Sequence, residues 1–195
     1  MFARLTELLR RDRPRAAAPE TAPAPKRASS RLDEARLEDL DWFMTAIEHA
    51  ARAGHSPWSL TRREQSDVLR QTLELTLRRG LWLQNEYGAV ERWQGRVLSY
   101  RLGENAPIGM ALLTRPDDDA AWQVRFFAID PEWQTRGHAV SMLMEIRAYF
   151  RELPLRTRVP ETCETAIHAL EHAGFENMHI DANNIVSLEA SAQMK

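Results

Sequence analysis

The residues best placed to do chemistry in this chain are Gln134, Thr135, Arg136, Gly137, His138 and Ala139, a short loop that runs directly into helical periodicity at Val140, Leu143, Met144 and Arg147. A helix starting there aims unpaired backbone N–H groups, and about half a positive charge, at whatever lies in front of it. The small residues Gly137 and Ala139 let an anion approach that backbone closely. The expected chemistry is therefore the holding of a phosphate-bearing ligand. An ordinary strand-to-helix connection is the plainer reading of the same spacing. Other groups suit proton transfer: Glu86 and Tyr87 end the short run from Leu81, and His168 and His172 stand four residues apart on an expected helix. Cys163 is the only thiol, and a small buried side chain is its plainest role. Two histidines without a third ligand nearby do not make a metal site, so no metal is expected.

The elements around the loop must position it. Residues 124–129 supply a strand-like apolar run, and Asp130-Pro131 breaks it. Upstream, residues 95–102 and 107–113 flank the polar residues Gly103, Glu104, Asn105 and Ala106, which reads as a hairpin. Downstream, residues 155–159 read as a strand, 161–172 as a helix closed by Gly174, and 175–180 with 185–188 as a final strand pair. Earlier, Leu32, Leu37, Leu40, Phe43, Met44, Ile47 and Ala51 follow helical spacing up to Gly54. A second helix follows toward Gly80, capped by Ser59 or Thr61, with Glu64 at capping-box spacing from Thr61. Trp58, Trp82, Trp93, Trp122, Phe126 and Phe127 read as core aromatics.

Gln134-x-x-Gly137-x-Ala139 resembles the Q/R-x-x-G-x-G/A loop of the GNAT acetyltransferase superfamily. The hairpin, loop, helix, strand, helix, Gly174-Phe175 pair and closing strands over residues 81–190 occur in that family's order. The resemblance implies an α/β fold with a mixed, mostly antiparallel twisted sheet flanked by helices, here with an N-terminal helical extension. It implies acetyl-coenzyme A as co-substrate, held by Phe127, Ala128 and Ile129 of the strand and by residues 134–139, and acetyl transfer to an amine of a small molecule or a protein. Three positions depart from the family's pattern. Gln123 stands where some members have a glutamate base, Leu170 where many have a tyrosine acid, and Cys163 where an asparagine is common. Glu86 is the substitute base to weigh. The alternative is a catalytically weak or inactive acetyl-coenzyme A-binding protein used for sensing or partner binding. A structural or partner-binding domain that keeps only the fold is a third reading. In the family a first strand precedes the helices, and none is legible between Arg31 and Leu40.

Composition bounds these readings. A chain of 195 residues, 44% of them hydrophobic, is enough for one domain with an extension and too short for a second catalytic domain. The expected division is a flexible tail and linker at 1–30 and an acetyltransferase domain at 31–195, with a helical part at 31–80 and a cofactor-binding core at 81–190. A formal net charge of -2 gives no basic field for nucleic acid. One cysteine precludes an intrachain disulfide, no apolar run approaches a membrane span, and the first residues lack a secretory signal's apolar core, so a cytoplasmic protein is expected. Residues 1–13 have the pattern of a short basic amphipathic helix, and residues 14–30 that of an Ala/Pro linker. The tail and the N-terminal helices are the candidate surfaces for a protein partner, against the plainer reading of a frayed terminus. Oligomeric state and the identity of the amine acceptor are open at this point.

Overall fold

The computed structural model describes residues 30–193 apart from 87, 104 and 105, and at Glu86 the backbone alone. The expected amphipathic segment and linker in residues 1–29, Tyr87, and two residues of the polar hairpin loop lie outside the described residues.

Eight strands form one twisted sheet: β1 (Ser30–Glu34), β2 (Leu81–Glu86), β3 (Ala89–Leu102), β4 (Pro107–Arg115), β5 (Trp122–Ile129), β6 (Leu155–Pro160), β7 (Glu176–Ile180) and β8 (Ile185–Ala190). The order is β1-β3-β4-β5-β6-β8-β7, with β2 paired to the first half of β3. Neighbours are antiparallel except β5 and β6. The sheet is thus mixed and mostly antiparallel, flanked by helices, as the resemblance implies.

Helices α1 (Leu40–Arg52) and α2 (Arg63–Arg79) cover one face, burying Phe43, Ile47, Leu69 and Leu73 against Trp82, Val97, Met110, Leu112 and Phe126. Helices α3 (His138–Tyr149) and α4 (Glu164–His172) cover the other, burying Met142, Leu143, Ile146 and Leu170 against Leu98, Leu113, Val124, Val159 and Leu188. β4 is sandwiched between both layers and is buried from Pro107 to Thr114, which is why it reads as a continuous apolar run without alternation. β6 and β8 alternate buried and accessible residues, because only α3 and α4 cover that half of the sheet.

The N-terminal part differs from expectation. Residues 30–34 form a strand, paired along its whole length with β3, and Ala35 N–H extends the ladder to the Val97 carbonyl. Leu32 and Leu37, whose spacing suggests a helix, lie in β1 and in a short 3-10 turn, and α1 begins only at Leu40. An edge strand of five residues with no buried member carries no alternation, so the helical spacing of its leucines dominates the local pattern. The cap of α2 is also displaced by one residue: Gln65, not Glu64, closes the box by accepting from Arg62 N–H at 3.0 Å.

Candidate functional site

The site is built around β5. Toward β4 it is paired from Thr114↔Gln123 to Gly109↔Ile129, with one bulge at Arg125, where the register shifts between Leu113↔Val124 and Leu112↔Phe126. The bulge shifts the facing pattern. Trp122 and Val124, then Phe127 and Ile129, contribute to the α3/α4 layer, while Phe126 and Ala128 turn to the α1/α2 layer. Toward β6, pairing is limited to Trp122↔Leu155, Gln123↔Arg156 and Val124↔Thr157. Beyond Val124 the two strands part: β6 continues on β8 to Pro160, and residues 125–129 keep only β4 as a neighbour. The result is a wedge, closed at Val124 and Thr157 and open toward Ile129. At its apex Thr157 donates its hydroxyl to the Val124 carbonyl at 2.8 Å, and this bond is buried.

The open end leads to the loop. Asp130 N–H bonds the Ile108 carbonyl, and the Asp130 carboxylate accepts from Glu132 N–H, fixing a 3-10 turn over Pro131–Trp133. Gln134 folds back, donating its side-chain amide to the Ile129 carbonyl at 2.9 Å. Thr135 and Gly137 both take positive φ, 60° and 79°. An added Cβ at Gly137 would meet nothing within 4 Å, so open space lies beside that backbone. Even so, any L side chain there is strained by its φ. The first backbone bond of α3 is Ser141 N–H to the Gly137 carbonyl, so the N–H groups of His138, Ala139 and Val140 have no acceptor within the helix. Left-handed turns before a helix N-terminus with free N–H groups and room in front of them are what a diphosphate requires. The His138 ring is turned away from this role, packing 6.2 Å from Tyr100 and 5.7 Å from Trp133 between ring centroids, and the Arg136 guanidinium lies over Trp133.

The remaining candidates are placed as follows. Gln123 lies in the closed part of the ladder, between Thr114 and Arg156. Leu170 is fully buried in the core, and its carbonyl accepts from Phe175 N–H. Gly174 has φ +85 and an added Cβ there would lie 2.2 Å from a terminal nitrogen of Arg147. That guanidinium donates to the Ala173 carbonyl and ties α3 to the end of α4, and the positive φ is what favours glycine at position 174. Cys163 is buried at the start of α4; burial pushes its thiol up, and the Thr162 side chain only partly counters this. His168 and His172 pack edge to face at 4.2 Å, and no group of three metal-ligating side chains occurs among the described residues. Glu86 closes β2 opposite Ala89, beyond the last β3–β4 pair at Gln94↔Arg115. Two residues earlier, the Gln84 side-chain oxygen accepts from Arg125 at 2.7 Å, linking this hairpin to the bulge at the wedge. Arg125 also lies against the Trp93 ring.

Three elements escape a reading of the sequence. Thr157 is visible only as a polar residue between Leu155 and Val159 on the buried side of its strand. The bulge at Arg125 has no sequence signature. The contact from Trp42 to Asp130, 3.3 Å from indole N–H to carboxylate, bridges residues 88 apart.

The profile of the Acetyltransferase (GNAT) family matches residues 59–175. The chain belongs to that family. No curated protein sequence matches it. Among solved structures it is similar to the spermidine N-acetyltransferase of Vibrio cholerae in complex with CoA and spermine, with a TM-score of 0.62, 12% identity, and coverage of 84% of this chain and 95% of that one. An aminoglycoside N(6')acetyltransferase from Legionella pneumophila gives a TM-score of 0.60 at 13% identity, covering 84% of this chain and 92% of that one. A ribosomal L7/L12 alpha-N-protein acetyltransferase in complex with coenzyme A gives 0.60 at 10% identity, covering 86% and 96%. At these identities the likeness is one of fold. No helix among the described residues is long and apolar enough to cross a membrane.

Proposed function

We propose that this GNAT chain, over residues 31–195, moves an acetyl group from acetyl-coenzyme A to an amine. The observation that carries the reading is the wedge beyond Val124, which leads from a closed apex to the free N–H groups at the start of α3. When bound, the co-substrate supplies an activated thioester carbonyl. The N–H groups of residues 134–139 hold its diphosphate. The edge of β5 released by β6, at Phe127, Ala128 and Ile129, offers main-chain groups to the amide-bearing arm, and one such N–H stabilises charge on the carbonyl oxygen. The amine must lose a proton. A lysine-like amine, with a pKa of about 10.4, is neutral about once in 2,500 molecules at pH 7, so a base or a dry site has to offset that cost. Glu86, two residues beyond the Gln84–Arg125 contact, is the carboxylate we assign to it.

The solved relatives are named for a polyamine, an aminoglycoside and a protein amine, and we place this chain's acceptor among those classes. A second reading, coenzyme binding without transfer, is supported by Leu170, whose buried apolar side chain cannot protonate a leaving thiolate. Calorimetry with acetyl-coenzyme A followed by thiol release with polyamines, aminoglycosides, peptides and aminoacyl-tRNA separates the two. Binding together with thiol release is the expected result. Binding without release by any acceptor favours the second reading, and no binding removes both.

A further inference from the structure

We infer that Trp42 is a positioning residue, an indole brace on α1 that holds the Asp130 turn and so presets the loop of residues 134–139 for the coenzyme's diphosphate. The inference rests on the coenzyme reading above and adds to it a residue from the opposite helix layer. The loop is strained. Thr135, a β-branched residue, takes φ 60° and Gly137 takes 79°. Such a conformation at a β-branched residue persists only where the surrounding structure over-determines it. Local bonds supply part of that support: the Thr135 hydroxyl donates to the Gln134 carbonyl, and the Gln134 side-chain amide donates back to the Ile129 carbonyl. Among the described residues, the bond from the Trp42 indole N–H to Asp130 is the one side-chain hydrogen bond that ties residues 130–139 to anything beyond the loop and β5.

Asp130 is the junction between sheet and loop. Its N–H still pairs with the Ile108 carbonyl of β4, so the sheet places its backbone. Its two carboxylate oxygens are divided: one accepts from Glu132 N–H and starts the 3-10 turn, and the other accepts from Trp42 at 3.3 Å. The outer bond holds the rotamer in which the inner one forms. Trp42 packs, partly buried, against the core that includes Phe43 and Ile47, so the donor comes from an anchored helix. A carboxylate held from both sides keeps the turn, the loop and the α3 N-terminus in one arrangement before any ligand arrives. A preset site loses little of its binding energy to ordering. By linkage, the affinity that the brace adds for a ligand of the loop is matched by the stability that such a ligand adds to the brace.

The test uses the full chain and calorimetry with two ligands: acetyl-coenzyme A, and phosphoadenosine diphosphate, the nucleotide half of the coenzyme, which engages the loop without the arm. Trp42→Phe keeps an aromatic ring and removes the N–H. It is expected to bind both ligands about fivefold more weakly, the effect of one hydrogen bond. Asp130→Ser keeps an oxygen to cap the turn and leaves none within reach of the indole. In that background Trp42→Phe is expected to change neither affinity, because the bond is already gone. In the unsubstituted chain, saturating phosphoadenosine diphosphate should slow exchange of the Trp42 indole N–H by a similar factor. Parent-like affinity of Trp42→Phe overturns the inference and leaves the coenzyme reading standing. Equal losses in both backgrounds do the same, since they make Trp42 a packing residue of α1 alone. A loss confined to acetyl-coenzyme A, or an indole N–H whose exchange is indifferent to the nucleotide, overturns it too. A parent chain that binds neither ligand overturns the coenzyme reading itself.

Discussion

The two halves of the sheet on either side of the wedge are built differently. From β1 to β5 the strands are joined by antiparallel ladders and covered by helices on both faces, and β4 is almost entirely buried. From β6 to β7 only α3 and α4 cover the sheet, and the opposite face carries ion pairs such as Arg156 with Glu189 and Arg158 with Asp181. Three parallel residue pairs join the halves within the sheet. One half is a sandwiched core, the other a one-sided flap on a narrow seam. The seam is where β5 loses β6 as a neighbour, so the proposed site lies where the sheet stops being continuous. The consequence is that substitutions at the seam and its loop should change binding at nearly constant stability, and substitutions within the sandwiched half should do the reverse.

The largest effect is expected at the loop. Gly137→Glu puts a side chain on a backbone with φ near 79° and an anion into the open space beside it. Acetyl-coenzyme A affinity should fall by at least about a hundredfold, through lost N–H contacts and like-charge repulsion. Thermal unfolding should move by only a few degrees, since the position is exposed. Retained affinity in calorimetry removes the loop assignment. The opposite pattern is expected for Asp39→Ala. Asp39 is 4% exposed, and both its oxygens accept from one nitrogen of Arg101, locking the start of α1 to β3. Removing one member of a nearly buried pair should cost about 2–3 kcal/mol in denaturant unfolding, with coenzyme affinity unchanged below the transition. A variant that unfolds normally yet binds weakly breaks the contrast between the halves.

The same division decides what the sequence reveals. Residues 81–190 are legible because hairpin, loop and helix carry strong local signals: Asp130-Pro131 stops a strand, Gly137 enters a helix, and Gly174 leaves one. β1 is hidden, since five accessible residues gain strand geometry only from pairing with residues 64 or more positions away. The loop of the site can be read from residue types. The wedge cannot, because it is a property of two strands that stop pairing, and nothing in residues 122–129 or 155–160 alone says where. For the same reason Gln84 and Arg125 meet across 41 positions without any pattern that announces it.

That contact motivates the third expectation. If the hairpin of β2 and β3 serves the amine at the bulge, Glu86→Gln should lower turnover roughly tenfold or more, in the range of general base effects, while acetyl-coenzyme A affinity stays the same. The pH–rate profile should lose its acidic limb in the variant. Parent-like turnover at saturating acceptor excludes Glu86 and makes the hairpin a support for Arg125 only.

The smallest effect belongs to the flap. The Asp181 carboxylate is held below its usual range, first by the N–H of Ile185, then by that of Asn183 and by Arg158, at the turn joining β7 to β8. A carboxylate whose pKa is lower in the folded chain stabilises it in the ionised form. That contribution is fully present above the unfolded value of about 3.9 and disappears as the pH falls through the lower folded one. The protection factors of the Asn183 and Ile185 amides, which are corrected for intrinsic exchange at each pH, should therefore fall as the solution is acidified below about pH 4. Amides of β4, within the sandwiched half, should keep their protection over the same interval. Asp181→Asn, which cannot ionise, should show lower protection factors at the two turn amides at neutral pH and no further fall on acidification. If β4 opens in step with the turn, the halves unfold as one cooperative unit, and the seam between β5 and β6 is a local opening in a sheet that otherwise behaves as a single body.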